Sequence, residues 1–377
     1  MNRRVWWVMA VLCALVVLAP QAMAQQPPET HPTSEHRDIV TSWDRSALPG
    51  DIELWARATL LAYEQQGTLN YGRLFMTCAS NTSSERGKCP MLDTHEISLG
   101  TVSSIPLRFT ESRSGMEIDV EVTAALRRFD ATEACGFGFP PGDSKLIWSS
   151  DTGSCAGMDQ VGTAVEMKLN SSQLGLLVAG SWFARLELAL RKPPHQQLAT
   201  YSFEFDLTIT DYNAVSIYFP LFDQVTPHVG LNLQYDPLAQ TVGGRTQLDM
   251  CLYDGLGSQS QYLGVTVRDS GPRPPGPSGY SVWHADGGSD ATQRVDYTVT
   301  LDHNGSALPM RNGVEQLLHG IDTTKLRLVL LPGMTQPVFC VPTPLVLETP
   351  RVPVSSKRPG YYDGDLKVEL RVPTVTP

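Results

Sequence analysis

Apolar and polar residues alternate along most of this chain. In MEIDVEV, residues 116–122, Met116, Ile118, Val120 and Val122 alternate with Glu117, Asp119 and Glu121. RLELAL sets Leu186, Leu188 and Leu190 against Arg185, Glu187 and Ala189, and YSFEFDLTIT places Phe203, Phe205, Leu207 and Ile209 on one face. RVDYTVTL (294–301) and DLKVELRV (365–372) repeat the pattern near the C-terminus. A period of two means a strand with one packed and one wet face. Many short runs of this kind, punctuated by Gly, Pro, Asn and Asp, predict an all-β chain of antiparallel sandwiches. One stretch departs from the rule. DIELWARATLLAYEQ, residues 51–65, spaces Ile52, Trp55, Leu60 and Tyr63 in the manner of a helix, with Asp51 as its N-cap. No close internal repeat is visible. The β-rich halves part near Asp211–Asn213, and GPRPPGPSG (271–279) reads as a long surface loop.

The first residues place the chain outside the cytoplasm. Arg3 and Arg4 precede an apolar run from Val5 to Ala19, and Ala22-Met23-Ala24 follows as a small-x-small cleavage pattern. The run falls short of the roughly 20 residues that a membrane span needs. Residues 1–24 therefore read as a cleaved signal peptide, and the mature chain is expected to start near Gln25. Loss of Arg3 and Arg4 takes the formal charge from -10 to -12. An acidic chain of this kind is a poor general partner for nucleic acid, which selects a basic face.

Export changes the reading of the cysteines. Six lie beyond the signal: Cys78, Cys89, Cys135, Cys155, Cys251 and Cys340. An even set in an exported protein suggests disulfides, of which fifteen arrangements are possible in principle. Sequence neighbours suggest Cys78–Cys89 and Cys135–Cys155, which leaves Cys251–Cys340. No CxxC spacing points to zinc or redox chemistry. LDMCLYDGLGSQS, residues 248–260, then reads as a bridged strand end closed by an Asp254-Gly255 turn, rather than as a reactive thiol beside an acid.

Catalytic signatures do not emerge. The sequence holds no GxSxG elbow, no HExxH, no P-loop and no pair of histidines at ligand spacing. No enzyme activity and no cofactor are expected. A secreted β-sandwich hydrolase or carbohydrate-binding module is the alternative class, since a carboxylate pair leaves no local signature.

The stretch GGRTQLDMCLYDGLGSQSQYLGVTVRDS (243–270) resembles the tip subunits of the alternate chaperone–usher pili, the CfaE/CblD type of adhesin and pilus initiator. LWARATLLAYEQQGTLNYGRLFMTC, PLRFTESRS, LATYSFEFDLTITD and PVFCVP look like further family segments in the same order, and the two short cysteine loops and the long C-terminal pair match as well. The resemblance implies two immunoglobulin-like β-sandwiches: a receptor-binding adhesin domain over residues 25–211 and a pilin domain over 214–377 that lacks one strand. It implies as partners a periplasmic chaperone, an outer-membrane usher, a major pilin that donates the missing strand, and a host glycoconjugate receptor. The location implied is the fimbrial tip, reached through the periplasm. The mature N-terminus agrees with a tip position. QQPPETHPTSEHRD has no Val, Ile, Leu, Met or aromatic residue before Ile39, and its three prolines lack ladder N–H groups. It is unsuited to donate a strand, which must fill a groove with alternate apolar side chains.

The family captures an anionic glycan with a small arginine cluster, a task to which the planar guanidinium fork is suited. The resemblance places the matching positions at Arg73, in YGRLFMTC, and at Lys192 and Pro193, with Arg191 just before them at the end of RLELALRK, so the cluster is kept in part as Arg73, Arg191 and Lys192. Pro193 stands where the family pattern has a second arginine. His195 is a possible addition to the patch, Arg127-Arg128-Phe129 offers another basic spot, and Trp182 reads as core rather than as a sugar platform.

Overall fold

The computed structural model describes residues 27–373, apart from 99, 131–142, 153–159, 223, 225, 258–259, 333 and 335–336. The first half forms β1 (Glu35–Asp44), β2 (Ile52–Tyr63), β3 (Phe75–Cys78), β4 (Ser103–Glu111), β5 (Glu117–Asp130), β6 (Gln160–Leu169), β7 (Gly180–Lys192) and β8 (Gln196–Thr210). These make one sheet in the order β1-β8-β7-β4-β5-β6-β2, with β3 also paired to β7. The sheet folds over on itself as a sandwich. Trp55 of β2, at one end of the order, meets Tyr201 and Phe203 of β8 edge-to-face, with ring centroids 4.9 Å apart in both cases. The alternating residues of the sequence fill the space between. Phe203, Phe205, Leu207 and Ile209 of β8, and Leu186, Leu188 and Leu190 of β7, are all buried. Trp182 is fully buried too, and its indole N–H donates to the Val178 carbonyl at 2.8 Å.

The helix expected over residues 51–65 is not formed; the segment is the long strand β2. Its ladder with β6 is interrupted by register shifts at Glu53/Trp55, Trp55/Thr59 and Leu60/Ala62, and Ala58 adopts a left-handed φ of 65°. Each bulge inserts a residue and resets which face the next side chain takes. The apolar residues are thereby spread three to five apart, as on a helix. Asp51 does not cap this segment. Its carboxylate accepts the N–H of Ser171, at 2.9 Å, at the start of the short helical turn Ser171–Leu174, and pairs with Lys168 at 2.6 Å.

The second half continues with β9 (Ser216–Tyr218), β10 (Leu233–Asp236), β11 (Thr241–Leu248), β12 (Cys251–Tyr253), β13 (Tyr262–Asp269), β14 (Tyr280–His284), β15 (Arg294–His303), β16 (Ser306–Met310), β17 (Glu315–His319), β18 (Arg327–Val329), β19 (Val338–Pro342), β20 (Leu345–Pro353), β21 (Tyr362–Asp363) and β22 (Leu366–Arg371). They form three sheets, β10-β11-β20-β15-β14-β21 with β16 on β15, β18-β19-β12-β9, and β17-β13-β22, around a core that includes Leu263, Val265, Tyr280, Val299, Leu301 and Leu345. Both halves are immunoglobulin-like sandwiches. The proline-rich loop 271–279 joins β13 to β14 and is pinned there. The Arg273 guanidinium lies 4.9 Å from the centre of the Trp283 ring and donates to the Gly288 carbonyl at 2.6 Å.

Two of the expected bridges lie within the described residues. Cys78–Cys89 closes a loop beside β3, with Cα atoms 5.2 Å apart, and Cys251–Cys340 joins β12 to β19, with Cα atoms 5.6 Å apart. Cys135 and Cys155 fall outside the described residues. Cys251, Tyr253 and Cys340 belong to the core of the first sandwich, so the LDMCLYDG strand end serves both halves. Past it, the Gly255 carbonyl accepts the Asp211 N–H at the end of β8. Asp254, fully buried, receives the N–H groups of Leu256 and Ser260 at 2.9 and 3.0 Å. Gly257 has φ 63°, and a Cβ there would overlap the Ala179 carbonyl oxygen. Arg45 pairs with Asp211 at 3.2 Å across the same joint. Burial pushes the Asp211 carboxyl up in pKa, while Arg45 pulls it down.

The joint and the bridge generate two expectations. Cys251→Ser or Cys340→Ser removes a cross-link across 89 residues and should cost about 2–5 kcal/mol. Lower melting temperature and lower yield of exported protein are expected; a normal yield with unchanged melting would reject a structural role for the bridge. Gly257→Ala forces both a strained φ and a steric overlap, for about 1–3 kcal/mol. An unchanged melting temperature would mean that the loop does not touch Ala179.

Candidate functional site

The first candidate surface is built at the end of the β3–β7 ladder. β3 runs antiparallel to β7 with Phe75 opposite Arg191. The chain enters β3 through a tight turn, Tyr71–Arg73, after Asn70 at a left-handed φ of 58°. This register brings Arg73 to the end of β7 that carries Arg191 and Lys192. The three residues that the sequence singled out thus share one end of the first sandwich.

They are not equivalent. Arg73 is exposed, and among the described residues its guanidinium has no hydrogen-bond or ion-pair partner. Arg191 is half-buried and committed locally, donating to Thr77 Oγ1 at 3.1 Å and to the His195 carbonyl at 3.3 Å. Lys192 is half-buried beside Pro193, and its backbone pairs with Gln196 across the hairpin. His195 is exposed, and its carbonyl accepts from Arg191.

The expected basic spot at Arg127-Arg128-Phe129 is not a surface. Arg128 is fully buried and donates to the carbonyls of Leu74 and Ser149 at 2.7 and 2.9 Å and to Thr163 Oγ1 at 2.7 Å. Arg127 pairs with Glu166 at 3.0 Å, and the Phe129 ring is buried. Polar groups along β5 must find partners inside the fold because Leu126 and Phe129 take up the neighbouring core. Burial lowers the Arg128 pKa to about 10. Asp151 and Asp93 oppose the fall, and the positive charge of Arg73 adds to it. The charge of Arg73 is thus felt by a second, buried cation. Lys145, buried and bonded to Asp151 at 2.8 Å, completes an internal charge cluster that the sequence did not disclose, since it joins β5 to loops far away in the chain.

The second candidate surface is an open sheet edge. β22 pairs with β13 on one side, with Val368 opposite Val267, and has no partner on the other among the described residues. Its alternation is the one visible in DLKVELRV. Leu366, Val368 and Leu370 rest half-buried on the second core. Lys367 and Glu369 pair with one another at 2.8 Å, and Arg371 forms a forked pair with Glu315 at 2.6 and 3.0 Å. Phe222, Val229 and Leu231, between β9 and β10, lie on the same core without joining a strand. The result is a row of partly covered apolar side chains along an unpaired backbone.

Known proteins share this fold. Residues 20–212 match the family model for the first domain of CfaE, a subunit of CFA/I fimbriae, and residues 215–374 match the model for its second domain. The chain is 25% identical over 304 residues to the CFA/I fimbrial protein CfaE of Escherichia coli, covering 79% of this chain and 80% of that protein. The crystal structure of CfaE, the adhesive subunit of CFA/I fimbria of enterotoxigenic Escherichia coli, superposes with a TM-score of 0.67 at 22% identity, covering 93% of this chain and 95% of that one. A chaperone–tip adhesin complex of CFA/I fimbriae biogenesis gives a TM-score of 0.66 at 22% identity, with 93% and 99% covered. With both domain models matched in order along nearly its whole length, the chain belongs to the CfaE family of fimbrial tip adhesins.

Proposed function

We propose that this protein starts a fimbrial fibre and attaches it to a host surface. In this reading the second sandwich receives a strand from the neighbouring major pilin, and the first binds a host glycoconjugate. The observation that carries the initiator role is the fate of the N-terminus. Over ten residues, Glu35–Asp44, the start of the exported chain is paired with β8 of its own domain, and it holds no apolar residue before Ile39. A subunit that keeps its own first strand and leaves β22 open can receive a strand and is unsuited to give one. Such a protein occupies the end of a fibre.

The open edge calls for protection before assembly. Exposed apolar positions beside unpaired N–H and C=O groups invite aggregation. A periplasmic chaperone that lends a strand, and an outer-membrane usher that hands the protein to the first pilin, are the partners this chemistry requires. Strand addition supplies main-chain hydrogen bonds, and alternate apolar side chains fill the gaps left around Leu366, Val368 and Leu370. Transit of the periplasm and display at the cell surface follow from the same reading. The role is structural and adhesive, with no catalytic step.

For the receptor, Arg73 has the favourable environment. An unpaired guanidinium near buried Arg128 gains by accepting an anion, and a carboxylated sugar offers the bidentate match. Arg191 and Lys192 add positive charge from the neighbouring strand end. Pro193 narrows the cluster, so this chain is expected to recognise a ligand with fewer anionic contacts than a full arginine set would hold.

Two measurements test the proposal. A synthetic peptide from the N-terminus of the cognate major pilin should raise the melting temperature of the chain, by about 2.7 kcal/mol in stability at a hundredfold excess over the dissociation constant. A scrambled peptide should not. An equal effect of both peptides, or of neither, would reject the open-edge reading. Arg73→Ala should reduce cell attachment several-fold without changing the melting temperature, since Arg73 holds no structural partner. Unchanged attachment would remove Arg73 from the receptor site and leave the initiator role standing alone.

A further inference from the structure

On the outer face of the first sandwich, three side chains from two strands far apart in the sequence converge. β1 runs parallel to β8 with His36 opposite Ser202 and Asp38 opposite Glu204. Positions two apart on a strand share a face, so His36, Asp38 and Glu204 point the same way. Their ligating atoms all lie within 4.8 Å of one another. His36 Nε2 is 3.1 Å from Asp38 Oδ1, and His36 Nδ1 is 2.7 Å from Ser202 Oγ. We propose that His36, Asp38 and Glu204 bind a divalent transition-metal cation of the zinc class, clamping the first strand of the exported chain to β8.

One imidazole and two carboxylates are a common donor set for such a cation, with water free to complete the tetrahedron. A tetrahedral zinc with bonds near 2.1 Å holds its ligands about 3.4 Å apart. The observed cluster is within reach of that by side-chain rotation alone, because all three residues retain exposure to solvent. Ser202 supplies the outer contact that orients a metal-bound histidine: with the metal on Nε2, the ring proton is on Nδ1, 2.7 Å from Ser202 Oγ, and donates to it. The cation would sit where His36 Nε2 and Asp38 Oδ1 approach to 3.1 Å. Arg185 of β7 also reaches Glu204, at 3.3 Å, but holds a shorter contact to Glu187 at 2.7 Å, so it keeps a partner when Glu204 turns to the metal. The imidazole favours zinc over calcium, which takes six to eight oxygens.

The test is titration of the exported full chain with zinc chloride, by calorimetry and by thermal melting, against His36→Gln and Glu204→Gln. Bound zinc should fall by one per chain in each variant. Zinc at tenfold excess over the dissociation constant should raise the wild-type midpoint by about 3–6 °C, an increase lost in both variants. Equal binding by all three proteins, or none by the wild type, would overturn the site. Displacement of the zinc by an equal concentration of calcium would overturn the choice of cation.

Discussion

The parallel ladder between β1 and β8 is the constraint on which the rest turns. It commits the backbone of Glu35–Asp44 to Tyr201–Thr210, and with it the beginning of the mature chain to the domain that follows. A sheet can be completed from within or from a neighbour. The first sandwich is completed from within. Among the described residues, the second has β22 at an edge with its apolar row half covered. That difference gives the molecule a direction: its first strand is held in the sheet of the first sandwich, and its open edge lies on the second.

The two halves meet at a small, crowded joint. β12 and β19, bridged by Cys251–Cys340, pack on the first core while their neighbours pack on the second. The turn beyond β12 then reaches the end of β8, where Gly255 and Gly257 admit the Asp211 and Ala179 carbonyls at distances that a side chain would forbid. A buried carboxylate, Asp254, ties the turn together by accepting two backbone N–H groups. Backbone donors that would otherwise be stranded are satisfied there. The conspicuous LDMCLYDG stretch is therefore explained by packing and hydrogen bonding, with no reactive thiol required.

How much of this was legible in the sequence depended on locality. Strand alternation in YSFEFDLTIT, RLELAL and RVDYTVTL is a property of neighbours, and the buried faces of β8, β7 and β15 follow it. β2 escaped because three register shifts broke the period within twelve residues, and local spacing cannot distinguish a bulged strand from a helix. The proximity of Arg73 to Arg191 came from the family pattern, since nothing between residues 73 and 191 encodes the β3–β7 register. Arg128 was misread because charge alone does not report burial; its partners Leu74, Ser149 and Thr163 come from three separate segments. His36, Asp38 and Glu204 were invisible for the same reason: the parallel register that joins them spans 166 residues.

That same span sets an order of events. A chain that emerges N-terminus first presents β1 long before its partner exists. Glu35 has nothing to pair with until Tyr201 appears, and closing a loop of that length is slow relative to local strand formation. The first sandwich therefore closes last at its own beginning, and Trp43, Ile39 and the face of β8 beneath them stay uncovered until then. By the time β1 docks, most of the domain is already in place to receive it. Completion of the domain is thus a late event, and a chain interrupted before residue 201 would lack the strand on which β1 docks.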